Sequence, residues 1–206
     1  EPLEDTAAMR SDDDARQDFG HLFGVIFDGV TEGVRDYYRD HPDVNHKHTI
    51  GTRRNIKRDY IVYRLRGALG DVSGIHVFDK NQTTNFGMNG RFLARVHKLG
   101  EELAAAIGHT QASMAFQRNE PVAAGLGEDF SEATCIRLGY VPLTAAPMDP
   151  RVFITCPRGR QNAWFIELRR EAGAAIVPGP VPTPPADDFD DLVEVIRDPV
   201  RKGDEG

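Results

Sequence analysis

Apolar residues in the N-terminal third recur with a helical period. Between about residue 14 and Pro42 they are spaced mostly three or four positions apart, which predicts an amphipathic helix that ends before the proline. Four glycines inside this stretch lower its intrinsic helix stability. A second helix is predicted over about residues 51–69, with Thr49 or Thr52 as its N-cap and Gly70 as its stop. The first stripe comprises Phe19, Leu22, Phe23, Ile26, Val30, Val34 and Tyr37, and the second Ile56, Tyr60, Ile61, Tyr63, Leu65 and Leu69.

The period changes from 3.6 to 2 near Ile75, where strands are predicted. A short strand covers Ile75 to Phe78, and two more cover about residues 82–87 and 91–98. Asn89-Gly90 between alternating residues is a strong hairpin signal. The core face of this hairpin is predicted to be Phe86, Met88, Phe92, Ala94 and Val96, and its polar outer face Arg91, Arg95 and His97, interrupted by Leu93.

The rest of the pattern predicts short helices over about residues 101–107 and 110–116, a strand over 133–141, and a second hairpin over 152–156 and 162–168. Trp164, Ile166 and Leu168 supply the inward face of that hairpin. Short connections between strands favour antiparallel pairing. The predicted fold is therefore α+β: a mainly antiparallel sheet of about five to six strands packed against two N-terminal helices.

Charge divides the chain into three parts. Residues 1–13 are predicted to be an acidic flexible N-terminus, residues 14–172 a single α+β domain, and residues 173–206 a Pro-rich linker with an acidic tail. The net charge is −7, and residues 1–18 and 173–206 each carry −5, which leaves +3 for residues 19–172. The acidic charge lies in the ends, and the folded part is mildly basic.

Composition indicates a cytoplasmic protein without a membrane segment. No apolar run approaches the roughly 18 residues that span a bilayer, and the acidic N-terminus lacks the apolar region of a secretory signal. Cys135 and Cys156 lie in strand-like runs without metal-binding spacing, so they are interpreted as buried reduced thiols.

The helix over residues 51–69 carries six cations and one acid, Asp59. Such a stripe is able to bind the phosphates of a nucleic acid. It is also compatible with pairing to the chain's own acidic ends, or with docking of a protein partner. Arg53, Lys57 and Arg64 are predicted to share one face, with Arg54 and Arg58 beside it; Arg66 completes the set.

The polar hairpin adds Lys80, Arg95, His97 and Lys98 to the candidate contact surface. Nucleases of the restriction-endonuclease type hold a divalent cation with an Asp at a strand end and a Glu-x-Lys on the next strand. Asp79 and Lys98 match the first and last of these positions. Val96 stands where the middle carboxylate is required, which leaves a hard cation under-coordinated.

No other pattern points to catalysis, a metal or a cofactor. His41, His46 and His48 lie within eight residues, but their spacing matches neither the helical pair of metallopeptidases nor a zinc finger. The nucleophile elbow, the P-loop and the dinucleotide fingerprint are absent. No catalytic, metal or cofactor residues are therefore assigned.

Four apolar residues in the acidic C-terminal segment have helical spacing: Phe189, Leu192, Val193 and Ile196. Short acidic segments with such a stripe fold into the groove of a partner protein. Docking on the chain's own domain is the alternative, and the pattern does not distinguish the two.

Residues 79–84, 90–99 and 137–141, together with Trp164, resemble a group of uncharacterised bacterial proteins. Members are often encoded beside a helix-turn-helix regulator fused to a zinc-metallopeptidase domain. The resemblance covers roughly residues 50–170 and supplies no catalytic residues. It implies a regulatory binding protein of a toxin–antitoxin or stress-response module.

The sequence thus favours a non-enzymatic regulatory or interaction protein with a protein partner. The alternative is a nucleic-acid-binding protein, or a divergent metal-dependent nuclease, that uses the basic stretch 53–66.

Overall fold

The computed structural model describes residues 9–42, 47–80, 82–106, 110–122 and 128–170. Its fold is α+β, as predicted: two long N-terminal helices pack together on a six-stranded, mostly antiparallel sheet. The helices are α1 (Asp12–Phe19), α2 (Phe23–Asp40), α3 (Ile50–Leu69) and α4 (Gln111–Arg118). The strands are β1 (Ile75–Lys80), β2 (Thr83–Met88), β3 (Phe92–Lys98), β4 (Thr134–Val141), β5 (Arg151–Arg158) and β6 (Gln161–Leu168).

The first predicted helix is two helices, α1 and α2, separated by a 3₁₀ turn over Gly20–Leu22. Ser11 caps α1 and forms a reciprocal capping box with Asp14. Arg10 is also tied to the sheet, because its N–H donates to Thr134 and its carbonyl accepts from the Trp164 indole. The folded part therefore begins by residue 9, within the segment predicted to be flexible.

Helices α2 and α3 form a close antiparallel pair. A Cβ atom added to Gly33 would lie 2.6 Å from the Cα atom of Ile61, and one added to Gly29 would lie 2.7 Å from a methyl carbon of Leu65. Two of the glycines that weaken α2 intrinsically are thus the positions where α3 approaches its backbone. Thr49 caps α3 through the N–H of Thr52, as predicted.

A buried carboxylate joins these two helices. Asp36 is buried, and Arg64 donates to it from Nε at 2.5 Å and from Nη2 at 2.9 Å. Arg39 adds a contact of 2.7 Å. The hydrogen bonds from Arg64, and then the charges of Arg64 and Arg39, lower the pKa of Asp36, although burial acts in the opposite direction. The ionised form therefore stabilises the α2–α3 pair.

Replacing Asp36 by Asn, which keeps the shape and removes the charge, should lower the free energy of unfolding by about 2 kcal/mol near neutral pH. Because folding lowers the pKa of Asp36, its ionisation stabilises the folded protein at every pH above the unfolded pKa of about 4. This stabilisation is lost as the pH falls through the lower pKa of the folded state. The difference between D36N and wild type should therefore shrink below about pH 4. Urea denaturation at several pH values measures this difference in the free energy of unfolding. The control is Asp59→Asn, which removes an exposed carboxylate of α3. An equal loss of stability in D59N would contradict the prediction.

The sheet has the strand order β1-β2-β3-β4-β5-β6. Two antiparallel three-stranded units, β1–β3 and β4–β6, meet at β3 and β4, which pair in parallel from Phe92↔Thr134 to Lys98↔Tyr140. Parallel neighbours require a crossover rather than a hairpin, and residues 99–133, which include α4, provide it. The predicted Asn89-Gly90 turn is confirmed, with φ values of 52° and 65°.

One face of the sheet carries α1, α2 and α3, and the predicted inward residues of both hairpins lie in that core. The opposite face was predicted to be solvated, and this is wrong. Leu93 and Cys135 pack there against Phe116 of α4 and against Phe130, and Arg95 is also buried. The crossover covers the middle of this face, so β4 and most of β3 are buried on both sides.

The predicted helix over residues 101–107 is also wrong. Residues 101–106 form turns, with Leu103 in the left-handed region at φ 61° and buried beside Phe153. Cys135 and Cys156 are buried free thiols, as predicted. Within the part of the chain that the structure describes, no helix has the length and apolarity to cross a bilayer. The predicted linker and the tail residues Phe189, Leu192, Val193 and Ile196 lie outside that part.

Candidate anion-binding cleft

A polar cleft opens where β2 and β3 separate. The two strands pair only from Phe86↔Ala94 to Met88↔Phe92, while β3 continues beside β4 as far as Lys98. The cleft between the separated ends has a volume of about 550 Å³. The first half of α3 and the start of α4 line its sides, so residues distant in sequence meet there.

Positive charge dominates this cleft. Its lining includes four cations and no carboxylate among the described residues; the cations are Arg54, Arg58, Arg95 and Lys98. The carboxylate of Asp59 lies beside the cleft and contacts Arg58 at 3.2 Å. Burial lowers the pKa of Lys98, and the nearby charges of Lys57, Arg54 and Arg53 lower it further. The cations repel one another, so a bound anion would relieve the strain between them.

Arg95 occupies a buried position in the lining, with 7% of its surface exposed. Its Nε donates to Asn85 Oδ1 at 2.8 Å, and its guanidinium lies 4.4 Å from the centre of the Phe116 ring. No carboxylate pairs with it within the described ranges. Burial lowers its pKa. A buried cation without a counter-ion is unfavourable, and an anion in the cleft would supply the missing charge.

Arg137 lies directly beside Arg95, because the two residues are partners in the parallel β3–β4 ladder. It is 1% exposed and donates to the side-chain oxygens of Asn162, at 3.1 Å, and Gln117. Burial lowers its pKa to about 10, so it remains charged at neutral pH. Both of its acceptors are neutral amides, so Arg137 adds positive charge that no carboxylate of the described ranges compensates.

His97 is a neutral member of the lining. Burial lowers its pKa to about 3, and the charges of Arg137 and Arg95 reinforce this effect. Its Nε2 atom is buried and has no hydrogen-bond partner in the described structure. A neutral imidazole adds no charge to the lining and carries one donor and one acceptor nitrogen.

The start of α4 completes the cleft with Thr110, Ala112 and Ser113. Thr110 caps the helix by accepting a hydrogen bond from the Ser113 N–H at 3.2 Å. Asn119 holds the other end: its side chain donates to the carbonyls of Cys135 and Pro157 and accepts from the Cys135 N–H. The positive end of the helix dipole is thereby fixed at the cleft.

The structure brings together five of the predicted contact residues in this cleft: Arg54, Arg58, Arg95, His97 and Lys98. Arg53 and Lys80 are not part of its lining. Lys57 and Arg64 share one face of α3, as predicted, but that face is turned toward α2. Lys57 donates to the Tyr38 hydroxyl at 2.7 Å, and Arg64 binds Asp36.

No family model, curated protein or solved structure matches the chain. The functional interpretation therefore depends on the geometry of the cleft.

Asp79 and Lys98, which match two positions of the nuclease pattern, do not lie in the same cleft. Asp79 accepts hydrogen bonds from Arg66 at 2.7 Å and from Thr84 at 2.6 Å. The bond from Thr84 lowers the pKa of Asp79 most, and the bond from Arg66 lowers it further. Asp79 is not part of the cleft lining, whereas Lys98 is. Within the described ranges, no group of three histidine, cysteine or acidic residues is placed to hold a metal ion.

The histidine-rich turn is described only in part, because residues 43–46, which include His46, lie outside the described ranges. The His41 and His48 rings lie 5.8 Å apart, and His41 also contacts the Tyr60 ring. These contacts join the turn to the α2–α3 pair, and neither His41 nor His48 is part of the cleft lining.

Sequence reasoning missed the residues that support the cleft from the crossover and from β4. Arg137 had a detectable signal, since it is a charged residue inside an otherwise apolar strand. Thr110 had one as well, because a threonine before a helical segment is a typical N-cap. Gln117 and Asn119 had no signal, because their partners lie on strands 16 or more residues away.

Proposed function

We propose that this protein is a non-enzymatic nucleic-acid-binding protein that holds the phosphates of a single strand in the cationic cleft. The observation that carries the proposal is the composition of the lining: four cations, a neutral histidine and hydroxyl groups, with no carboxylate among the described residues. Phosphate oxygens are anionic acceptors, and such a lining presents cationic donors and no anionic acceptor among the described residues.

The arrangement of the cations supports a strand rather than a small ion. Arg54 and Arg58 are four residues apart on α3, which places them about 6 Å apart along the helix axis. This is comparable to the separation of successive phosphates in a single strand. Arg53 and Lys57 extend the positive potential beyond the cleft, as their effect on the pKa of Lys98 shows. A strand that crosses the cleft would contact several of these charges in turn.

A protein partner remains the competing proposal. Tyr63 on α3 is 75% exposed and lies beside a shallow depression that includes Val25, Gly29 and Ala68. An exposed tyrosine beside apolar groups is typical of protein interfaces. The buried, uncompensated charge of Arg95 has no role in that interpretation, so the cleft favours nucleic acid. A regulatory role, as the bacterial resemblance implies, is compatible with either partner.

Binding of labelled single-stranded RNA and DNA to the full chain, measured by fluorescence anisotropy at several salt concentrations, tests the proposal. Three or four phosphate contacts predict a slope of roughly −2 to −3 in log affinity against log salt. The triple variant R54A/R58A/K98A should bind about 100-fold more weakly, at about 1 kcal/mol for each lost contact. Its slope should fall to about zero to −1.

Arg66→Ala is the matched control, because Arg66 lies on the same helix and outside the cleft. It should leave the affinity within about twofold of wild type. The same reactions with Mg²⁺, with Mn²⁺ and with a chelator separate a binder from a nuclease, since a binder leaves the strand intact in all three. Absence of binding at low salt, or equal losses in R66A and the triple variant, would refute the proposal.

A further inference from the structure

The cleft has a buried floor, where Arg95 lies, and an exposed rim. Arg95 is 7% exposed, whereas Arg54 and Lys98 are exposed residues of the rim. Apart from the Nε bond to Asn85, no hydrogen bond of the Arg95 guanidinium is formed within the described ranges. The Phe116 ring packs against the guanidinium, whose central carbon lies 4.4 Å from the ring centre. Its terminal amino groups are therefore fixed donors at the floor of the cleft, without an acceptor from the described part of the chain.

Further unused polar groups surround the same floor. The buried Nε2 atom of His97, two residues from Arg95, has no partner in the described structure. At the start of α4, the capping bond uses the Ser113 N–H, and the Gln111 and Ala112 N–H groups have no acceptor within the described residues. The first N–H groups of a helix are orphan donors that favour phosphate. A guanidinium, an imidazole and a helix N-terminus thus line the same cleft.

A nucleic-acid strand contains internal phosphodiesters and can carry a terminal phosphomonoester, and the two groups would fit the floor of the cleft differently. An internal phosphodiester carries a substituent on both sides and one negative charge, so it needs room for the chain to enter and leave. A terminal phosphomonoester carries one substituent, three free oxygens and close to two charges. Only the terminal group is able to present three acceptors to the floor while the rest of the strand stays at the rim.

We infer that the floor of the cleft, formed by Arg95, His97 and the start of α4, binds the terminal phosphomonoester of a nucleic-acid strand. Arg54, Arg58 and Lys98 then contact the phosphates that follow it. This inference rests on the proposed function, because it specifies which group of the strand occupies the buried part of the same site.

Oligonucleotides that differ only at their ends test this inference. One single-stranded RNA sequence is prepared with a 5′-phosphate, a 3′-phosphate or hydroxyls at both ends, and its affinity for the full chain is measured by competition against a labelled strand. One of the two phosphorylated forms should bind about 10- to 100-fold more tightly than the hydroxyl form, as expected for charge-assisted hydrogen bonds at a buried site.

Two variants test whether the floor of the cleft causes the preference for a phosphorylated end. Arg95→Met keeps much of the side-chain volume and removes the donors, so the ratio of phosphate to hydroxyl affinity should fall to about one. Ser113→Glu places a carboxylate in the first turn of α4, where acids favour the helix, and it should abolish the ratio by repulsion. This second variant keeps the test valid if R95M does not fold. R66A should retain the full ratio.

The outcomes separate this inference from the proposed function. Equal affinity for all three oligonucleotides would overturn the terminal-phosphate site and leave strand binding intact. A preference that persists unchanged in S113E and R95M would also overturn it. If none of the oligonucleotides binds at low salt, both proposals fail.

Discussion

Replacing Gly33 by Ala should destabilise the protein by about 2 kcal/mol or more, even though alanine is the better helix former. The added Cβ would lie 2.6 Å from Cα and 2.7 Å from the backbone nitrogen of Ile61. Neither backbone atom is able to move without shifting α3. Overpacking a fitted interface costs about 1–3 kcal/mol and more where the backbone must move, which exceeds the gain of about 1 kcal/mol in helix propensity.

Gly24→Ala is the matched comparison, because Gly24 lies in the same helix and nothing is within 4 Å of its added Cβ. It should stabilise the protein by about 0.5–1 kcal/mol. Chemical denaturation of both variants measures the two effects. If both glycine substitutions stabilised the protein, α2 and α3 would not approach one another as the structure shows.

Asn119→Ala should lower the free energy of unfolding by about 3–5 kcal/mol. Asn119 adopts a left-handed conformation, with φ 64° and ψ 44° at the end of α4, which alanine disfavours by roughly 1 kcal/mol. The substitution also removes the bonds to the carbonyls of Cys135 and Pro157 and to the Cys135 N–H, at 2.9, 2.9 and 2.7 Å. Each partly buried group left unsatisfied costs about 1–3 kcal/mol.

Asn119→Gly separates the two contributions, since glycine accepts the backbone conformation but makes none of the side-chain bonds. It should be more stable than N119A by about 1 kcal/mol and still less stable than wild type. Arg118→Ala, at the exposed neighbour, should change the stability by less than about 0.5 kcal/mol. A change of that small size in N119A would mean that Asn119 does not anchor α4 to the sheet.

The sequence predicted those parts of the fold that local rules determine. The stripe through Ile61 and Leu65 predicted α3, and Asn89-Gly90 predicted the first hairpin, because both signals act between near neighbours. The turn at Gly20–Leu22 and the parallel pairing of β3 with β4 were not predicted. Both depend on tertiary packing: the turn accompanies burial of Phe19 and Phe23, and the pairing requires a crossover of more than thirty residues.

The sequence predicted which charged residues contribute to the candidate site, but not where in the fold they come together. Arg54, Arg58 and Lys98 were predicted to belong to a contact surface, and the structure places all three in the lining of one cleft. Arg95 was assigned to an exposed polar face, because alternation along a strand shows that two faces differ but not whether the second is covered. Helix α4, which covers Arg95, belongs to the crossover between β3 and β4. For the same reason the sequence did not indicate that Arg95 and Arg137 would lie side by side without a carboxylate.

This uncompensated charge is the physical basis of the proposed function. A structural arginine in a protein interior is normally paired with a carboxylate. Arg95 and Arg137 instead have neutral amide partners. Such an arrangement is unfavourable in the free protein and would become favourable if an anion entered, so the proposed site would lower the stability of the free protein and raise its affinity for an anion.

The most direct test is a titration of the full chain with single-stranded RNA, followed through the arginine Nε–Hε signals in two-dimensional NMR spectra. Each arginine reports separately, so the measurement locates the ligand. Binding in the cleft predicts that the signals of Arg54, Arg58 and Arg95 shift together and saturate at one strand per chain, while those of Arg64 and Arg66 remain unchanged. Shifts confined to Arg64 and Arg66, with Arg95 unaffected, would contradict it.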